Sequence, residues 1–298
     1  MTSPDSVKAK LRRIAVSDKR PFDYMMLRYV VERLLYRLSI SEYKDNFVLK
    51  GGMFIYTVLG DSARLTRDVD LLARNLLNTE AELLRVFRVI CQIETDDAIR
   101  FDLDSFATER IIEGGAYEGV HIKVTGYIDK SKQVIQFDVG YGDVVVPEAV
   151  VMEYPSLLDM ECPKILAYSY DSVVAEKFEA MIALAEANSR MKDFYDIFML
   201  SRHFSFDGAI LQEAIQQTLH RRATPTSEFP VALTDDFANS RDKLVQWAAF
   251  QRNTQVAEGI SFQATVTGIR EFLLPVYQSM LSHECWSSTW SWVEQKWR

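Results

Sequence analysis

The sequence predicts an α/β (α+β) chain: a core built on a mixed sheet, followed by a C-terminal helical domain. Three observations predict it. Apolar residues near the N-terminus recur at helical spacing, the stretch from about 99 to 153 alternates between apolar and polar residues, and the chain after Pro163 is almost wholly helical in pattern. A boundary near residue 160 follows, giving a core with N-terminal helices over 1–160 and a helical domain over 161–298.

In chain order, residues 5–16 and 21–40 read as helices; in the second, Met25, Tyr29, Val30, Leu34 and Leu38 share one face. The apolar stretch Phe47 to Leu49 runs into Gly51-Gly52, and 53–59 reads as a short helix. Asp68 to Leu72 alternates like a strand, and Glu80 to Glu94 reads as an amphipathic helix. Glu109–Glu113, Val120–Ile128, Val134–Val139 and Val144–Val146 are strand candidates, with turns at Gly114-Gly115, Asp129-Lys130 and Gly140–Gly142. Helices are expected at 171–187, 191–203, 207–219, 234–250 and 264–283.

Composition narrows the function classes. With 48% hydrophobic and 26% charged residues the balance is that of a globular chain able to bury a sizeable core. The net charge of −8 argues against a surface that grips nucleic acid throughout, though a local basic patch remains open because phosphate binding depends on where the cations sit. Basic residues do cluster at Lys8, Lys10, Arg12, Arg13, Lys19 and Arg20, and at Arg221-Arg222. Cys91, Cys162 and Cys285 are odd in number and widely spaced, which suits neither a disulfide framework nor a zinc site and points to a cytoplasmic setting. No signal-peptide core and no membrane-length apolar run is present, so no membrane partner is expected. There is no P-loop motif, and His121, His203, His220 and His283 lie in no context that suggests a nucleophile–His–carboxylate set. Trp286, Trp290, Trp292 and Trp297 crowd the C-terminus, where packing of the tail onto the body is expected.

The chemistry-bearing residues are carboxylates and glycines. Asp68 and Asp70 are two apart in a strand, so both side chains share one face while Val69 and Leu71 turn to the other. Two carboxylates this close repel, and an oxygen-seeking cation such as Mg²⁺ suits the space between them. Alone the pattern is weak, since Asp102-Leu103-Asp104 repeats it. Its surroundings strengthen it. Gly51-Gly52 precedes a helix, where bare backbone and free N–H groups can approach a phosphate. Arg64, Thr66 and Arg67 stand just before the first Asp and can offer cationic and hydroxyl contacts to a triphosphate. Asp138 lies opposite the apolar face of Ile135, Phe137 and Val139, on a strand able to pair beside Asp68 and Asp70. Farther on, Lys177 falls within the apolar stripe of its helix, where it either snorkels to the rim or needs an anion such as a nucleotide phosphate or Asp193, and Asp193 and Asp196 share a side of the next helix, open to interhelical salt bridges.

Val48-Leu49-Lys50-Gly51-Gly52 followed by Arg64-Leu65-Thr66-Arg67-Asp68-Val69-Asp70-Leu71 resembles the opening motif of the AbiEii-type toxins of the AbiE (type IV) toxin–antitoxin family, within the polymerase-beta-like nucleotidyltransferase superfamily. Asp138 matches the superfamily's third carboxylate. Glu176-Lys177 and Lys192-Asp193-Phe194-Tyr195-Asp196-Ile197 resemble the family's later motifs, and the likeness runs from about 45 to 200. It implies a polymerase-beta-like core and a metal-dependent transfer of NMP from an NTP, in a cleft between the two domains. Asp68, Asp70 and Asp138 would hold Mg²⁺ or Mn²⁺, with Lys177 and Asp193 also catalytic. Gly51, Gly52, Arg64, Thr66, Arg67, Lys177 and Asp196 would contact the nucleotide. The resemblance further implies a growth-blocking toxin, the 3′ end of tRNA as acceptor and a companion antitoxin. A protein hydroxyl as acceptor, and a catalytically silent nucleotide- or antitoxin-binding module, stay open.

Overall fold

The computed structural model describes residues 2–113, 117–254, 256 and 258–298. The chain forms two compact units whose segments interleave: Met1–Thr57, Thr66–Gly142 and Val150–Ala167 in the first, and Val58–Leu65, Asp143–Ala149 and Tyr168–Arg298 in the second.

The first unit is built on seven strands: β1 (Phe47–Lys50), β2 (Val69–Ala73), β3 (Ile99–Glu113), β4 (Tyr117–Ile128), β5 (Ser131–Tyr141), β6 (Val150–Glu153) and β7 (Lys164–Ala167). Their order is β3-β4-β5-β2-β1-β7-β6. The pairs β2–β5 and β1–β7 are parallel and the others antiparallel, so the sheet is mixed as expected. Helices α1 (Pro4–Ser17), α2 (Phe22–Ile40), α3 (Gly51–Leu59) and α4 (Glu80–Gln92) accompany it. α1 starts where Ser3 accepts from the Ser6 N–H with Pro4 in the first turn, both ordinary helix starters.

One face of this sheet is apolar. Leu49, Leu71, Val139 and Val120 are register neighbours and all fully buried. α4 packs on that face through Phe87, whose ring meets Phe47 and Phe137 at 5.5 and 4.8 Å between centroids. α2 lies there too: a Cβ on Gly126 of β4 would meet Val30 at 2.6 Å, so glycine lets helix and strand approach. A buried ion pair fixes α2 from its other end, with Arg37 donating to Asp97, which also accepts from Thr95 and the Ile99 N–H.

The second unit is helical: α5 (Tyr170–Leu184), α6 (Met191–His203), α7 (Gly208–Arg221), α8 (Asp235–Asn239), α9 (Arg241–Thr254) and α10 (Phe262–Leu281), with short strands β8 (Phe206–Asp207), β9 (Thr289–Ser291) and β10 (Lys296–Trp297). Ser169, Asp207 and Ser261 cap α5, α7 and α10 through their side chains. The Trp-rich tail does pack. Trp290 is 1% exposed and donates to Ser201 O, and Trp297 donates to Phe272 O.

Several expectations need correction. Val144–Val146 is not a strand; this loop is tied to the start of α5, where Ser172 Oγ accepts from the Val146 N–H and Ser169 Oγ donates to Val146 O. The helix expected at 234–250 is two, α8 and α9, broken at Ser240. β3 begins ten residues before the Glu109–Glu113 segment, and β6 to β10 carry no sequence signal strong enough to place them. Short strands with one or two side chains per face show little periodicity. The turn assigned to Gly114-Gly115 lies outside the described residues.

Candidate functional site

β1 runs without a loop into α3, and the junction is Gly51, whose φ of +62° suits glycine best. β2 pairs antiparallel beside β1 with Lys50 opposite Asp70. The Asp70 carboxylate consequently lies against the start of α3. A Cβ on Gly51 would stand 1.8 Å from Asp70 Oδ2, and the Gly52 N–H donates to the same oxygen at 3.3 Å. A Cβ on Gly52 would meet Thr66 Oγ1 at 2.6 Å. The two glycines are therefore what allows the Thr66–Asp70 segment to close over the helix N-terminus.

The register extends this into a row across the sheet. Asp70 faces Asp138 on the parallel strand β5, Asp138 faces His121 on β4, and His121 faces Glu109 on β3. With Lys50 on β1, five charged or titratable side chains occupy one level on the face opposite the apolar one. Asp70, Asp138 and His121 are half-buried, and Asp68, one pleat before Asp70, is exposed. Asp138 is held in place: His121 Nδ1 lies 2.5 Å from its Oδ1, and Gln136 Nε2 donates to the same oxygen at 3.2 Å. Arg67 is exposed, with its guanidinium 3.8 Å from Asp23.

Among the described residues, no group of three or more His, Cys, Asp and Glu side chains is arranged to hold a metal ion by itself. The donor set nevertheless fits Mg²⁺ or Mn²⁺: oxygen donors on register neighbours, beside a glycine cradle from which Cβ atoms are excluded. Mg²⁺ typically takes one or two carboxylates and completes its shell with water and substrate phosphates.

The remaining sequence-selected residues gather in the second unit as a buried ionic network. Lys177 Nζ on α5 lies 2.7 Å from Asp193 and 2.9 Å from Asp196, both on α6. Arg64 grips Asp196 in a two-pronged pair, with Nε and Nη2 each at 3.0 Å from a carboxylate oxygen. Arg190 sits 2.7 Å from Asp193. Asp193 and Asp196 are 1% and 0% exposed. Burial opposes the charge on Lys177, yet Asp193 and Asp196 outweigh it and hold its pKa above the ordinary lysine value. Burial likewise works against ionised Asp193, and Lys177 and Arg190 overcome it, so its pKa is depressed. The structure thus brings Lys177, Asp193, Asp196 and Arg64 together, and separately brings together Gly51, Gly52, Thr66, Asp70 and Asp138.

Three residues of the charged row, Lys50, His121 and Glu109, receive no role from the sequence. Lys50 stands in the opening motif without one, and His121 lacks the context of a triad. The alternation Val120, Ile122, Val124 does place His121 on the polar face, but its neighbour Asp138 is set by strand register, which alternation does not give.

This sheet, joined through glycine to a helix start and carrying in-register aspartates on one face, defines a candidate site of acidic character. The family described as "Nucleotidyl transferase AbiEii toxin, Type IV TA system" matches residues 33–267, and the chain belongs to that family. No curated protein sequence matches the chain. Among solved structures it is similar to JHP933 from Helicobacter pylori, with 16% identity over 84% of this chain and 91% of that one and a TM-score of 0.46. It is also similar to a candidate nucleotidyltransferase from H. pylori, with 14% identity over 88% and 96% and a TM-score of 0.47. No helix among the described residues is long and apolar enough to cross a membrane.

Proposed function

We propose that this chain moves NMP from an NTP onto the 3′ end of tRNA and thereby inhibits growth, as a toxin countered by a companion antitoxin. The observation that carries the chemistry is the Asp70–Asp138 pair in register beside the Gly51-Gly52 helix start. Asp68, Asp70 and Asp138 would hold a divalent cation, Mg²⁺ or Mn²⁺, which when bound would offset charge on the triphosphate and on the attacking and leaving oxygens. Gly51 and Gly52 bring Asp70 and Thr66 against the N-terminus of α3, where the helix dipole favours negative charge and the β- and γ-phosphates would be drawn. Thr66 and Arg67 supply a hydroxyl and a cation at its edge. Asp138, with its orientation fixed by His121 and Gln136, takes the proton from the acceptor hydroxyl as that oxygen bonds to the α-phosphorus and pyrophosphate leaves. Lys177 and Asp193 are ascribed a catalytic role on motif resemblance, and Arg64 and Asp196 a nucleotide-binding one. Their ion pairs support an additional structural role for all four.

The test is a transfer assay with the wild type and the double variant Asp68→Ala/Asp70→Ala. Each is mixed with Mg²⁺, total tRNA and each of the four NTPs labelled at the α-phosphate. Label on tRNA with the wild type alone is the expected result. Label on protein instead would replace the acceptor and keep the reaction class. No label on either, from a folded wild type that binds NTP, would leave a silent nucleotide-binding module.

A further inference from the structure

Three arginines of α2 are nearly sealed from solvent, and they differ in what they face. Arg37 is paired with Asp97, and Arg33 donates to the Glu161 carbonyl and lies 3.5 Å from Asp97. Arg28 is 7% exposed, and among the described residues no carboxylate stands within ion-pair distance of it. Its contacts are aromatic. The guanidinium lies 3.8 Å from the centre of the Tyr56 ring and 5.9 Å from that of Tyr24. Ring contacts of this kind cover the flat faces of a guanidinium and leave its in-plane N–H edge available to a ligand. A buried cation ordinarily has an anionic partner, because burying one alone is costly.

The position of this cation gives its partner. Tyr56 is one helical turn beyond Gly52 on α3, so it projects from the same side. Thr66, whose hydroxyl occupies the space a Cβ on Gly52 would need, also has its backbone beside the Tyr24 hydroxyl. Gly52, Thr66, Tyr24, Tyr56 and Arg28 therefore form one continuous wall beginning at the helix N-terminus. Residues 1–32 also lie before the span that the family match covers, so nothing in that match assigns Arg28 a role.

We propose that Arg28 is a binding residue for the triphosphate of the NTP, held ready by Tyr24 and Tyr56 and donating its N–H edge to phosphate oxygens. The assignment rests on the nucleotidyl-transfer reading and adds a residue to its substrate site. Arg28→Met keeps the length and packing of the side chain and removes the charge; Arg28→Lys keeps the charge and loses the fork. Binding of inorganic tripolyphosphate and of each NTP, with Mg²⁺, is measured by calorimetry on the full chain, alongside circular dichroism and thermal melting.

The expected result is that Arg28→Met weakens tripolyphosphate and NTPs alike by about tenfold to a hundredfold, the scale of a lost charged hydrogen bond. Arg28→Lys should weaken both by several-fold, and it carries the test if Arg28→Met does not fold. A folded Arg28→Met, or in its absence Arg28→Lys, that binds tripolyphosphate as tightly as the wild type overturns the proposal and leaves the transferase reading intact. Loss of NTP binding with tripolyphosphate unaffected also overturns it, because Arg28 would then read sugar or base. A wild type that binds none of these probes sinks both readings together.

Discussion

The charged row of the sheet and the ionic network of the helical unit contain the same residue types and differ in how they are closed. Asp193 and Asp196 are sealed and matched to Lys177, Arg64 and Arg190 at 2.7–3.0 Å. Asp70 and Asp138 are half-buried and lie side by side on neighbouring strands, with Asp70 against Gly51 at the start of α3. Sealed and matched charges fix geometry, because removing one member strands its partner in a low dielectric. Like charges left partly open keep the capacity to take a cation and its ligand. Under the proposed function, the comparison teaches that burial, and not residue identity, separates an aspartate that holds the fold from one placed to do chemistry.

The largest expected effect breaks the two regions apart in activity. Asp70→Ala and Asp138→Ala should each lower transfer by about a hundredfold or more, the scale of losing one charge-stabilising group in an active site. Their melting temperatures should stay near that of the wild type. A large loss of stability in either would place that aspartate with the sealed group.

Asp196→Ala should do the reverse to the fold. It removes the two-pronged partner of Arg64 and leaves Lys177 with Asp193 alone, and urea unfolding should show a loss of about 3–5 kcal/mol. An unchanged midpoint would mean that the network contributes little and that its residues are held for another reason.

The glycine cradle sharpens the contrast through a paired test. Gly51→Ala meets both a positive φ and the Asp70 carboxylate, so it should cost roughly 1–3 kcal/mol and also reduce nucleotide binding. Gly60 has a φ of +55°, but a Cβ added there would have nothing within 4 Å, so Gly60→Ala should cost only about 1 kcal/mol and leave binding unchanged. Equal binding by the two variants would remove the cradle from the site.

The last contrast is a pH dependence in the helical unit. Burial, then the nearby Asp207, push the Asp171 carboxyl up to about 7. A carboxyl with a raised folded-state pKa holds its proton more tightly folded than unfolded. Its contribution should therefore favour folding most below the unfolded pKa of about 4 and fade as pH rises toward 7. Asp171→Asn should flatten that part of the stability profile. Asp193 acts in the opposite sense: its depressed pKa stabilises above the unfolded value, and this is lost as the pH falls into the acid range.

Much of the architecture was legible because it depends on local periodicity. The α2 stripe of Met25, Tyr29, Val30, Leu34 and Leu38 is buried throughout, and β5 alternates as Ile135, Phe137 and Val139 implied. The short strands escaped, as did the break at Ser240. The loop at Val144–Val146 has a strand-like composition but finds its hydrogen bonds at the start of α5. Of the site, the Gly51-Gly52 pair and the spacing of Asp68 and Asp70 could be read directly. His121 could not, because its importance lies in the residue opposite it.

By itself, the sequence determined which side chains share a face, where the backbone must be bare, and the family to which the chain belongs. Side-chain period and glycine placement are properties of neighbours along the chain. Only the tertiary structure decided that Asp138 stands in register with Asp70, that His121 holds it, and that Arg64 reaches Asp196 across 132 positions. It also set Arg28 as a buried cation against the rings of Tyr24 and Tyr56. Register and long-range pairing arise from the packing of distant segments, and a one-residue slip of a strand would turn every one of its side chains to the other face.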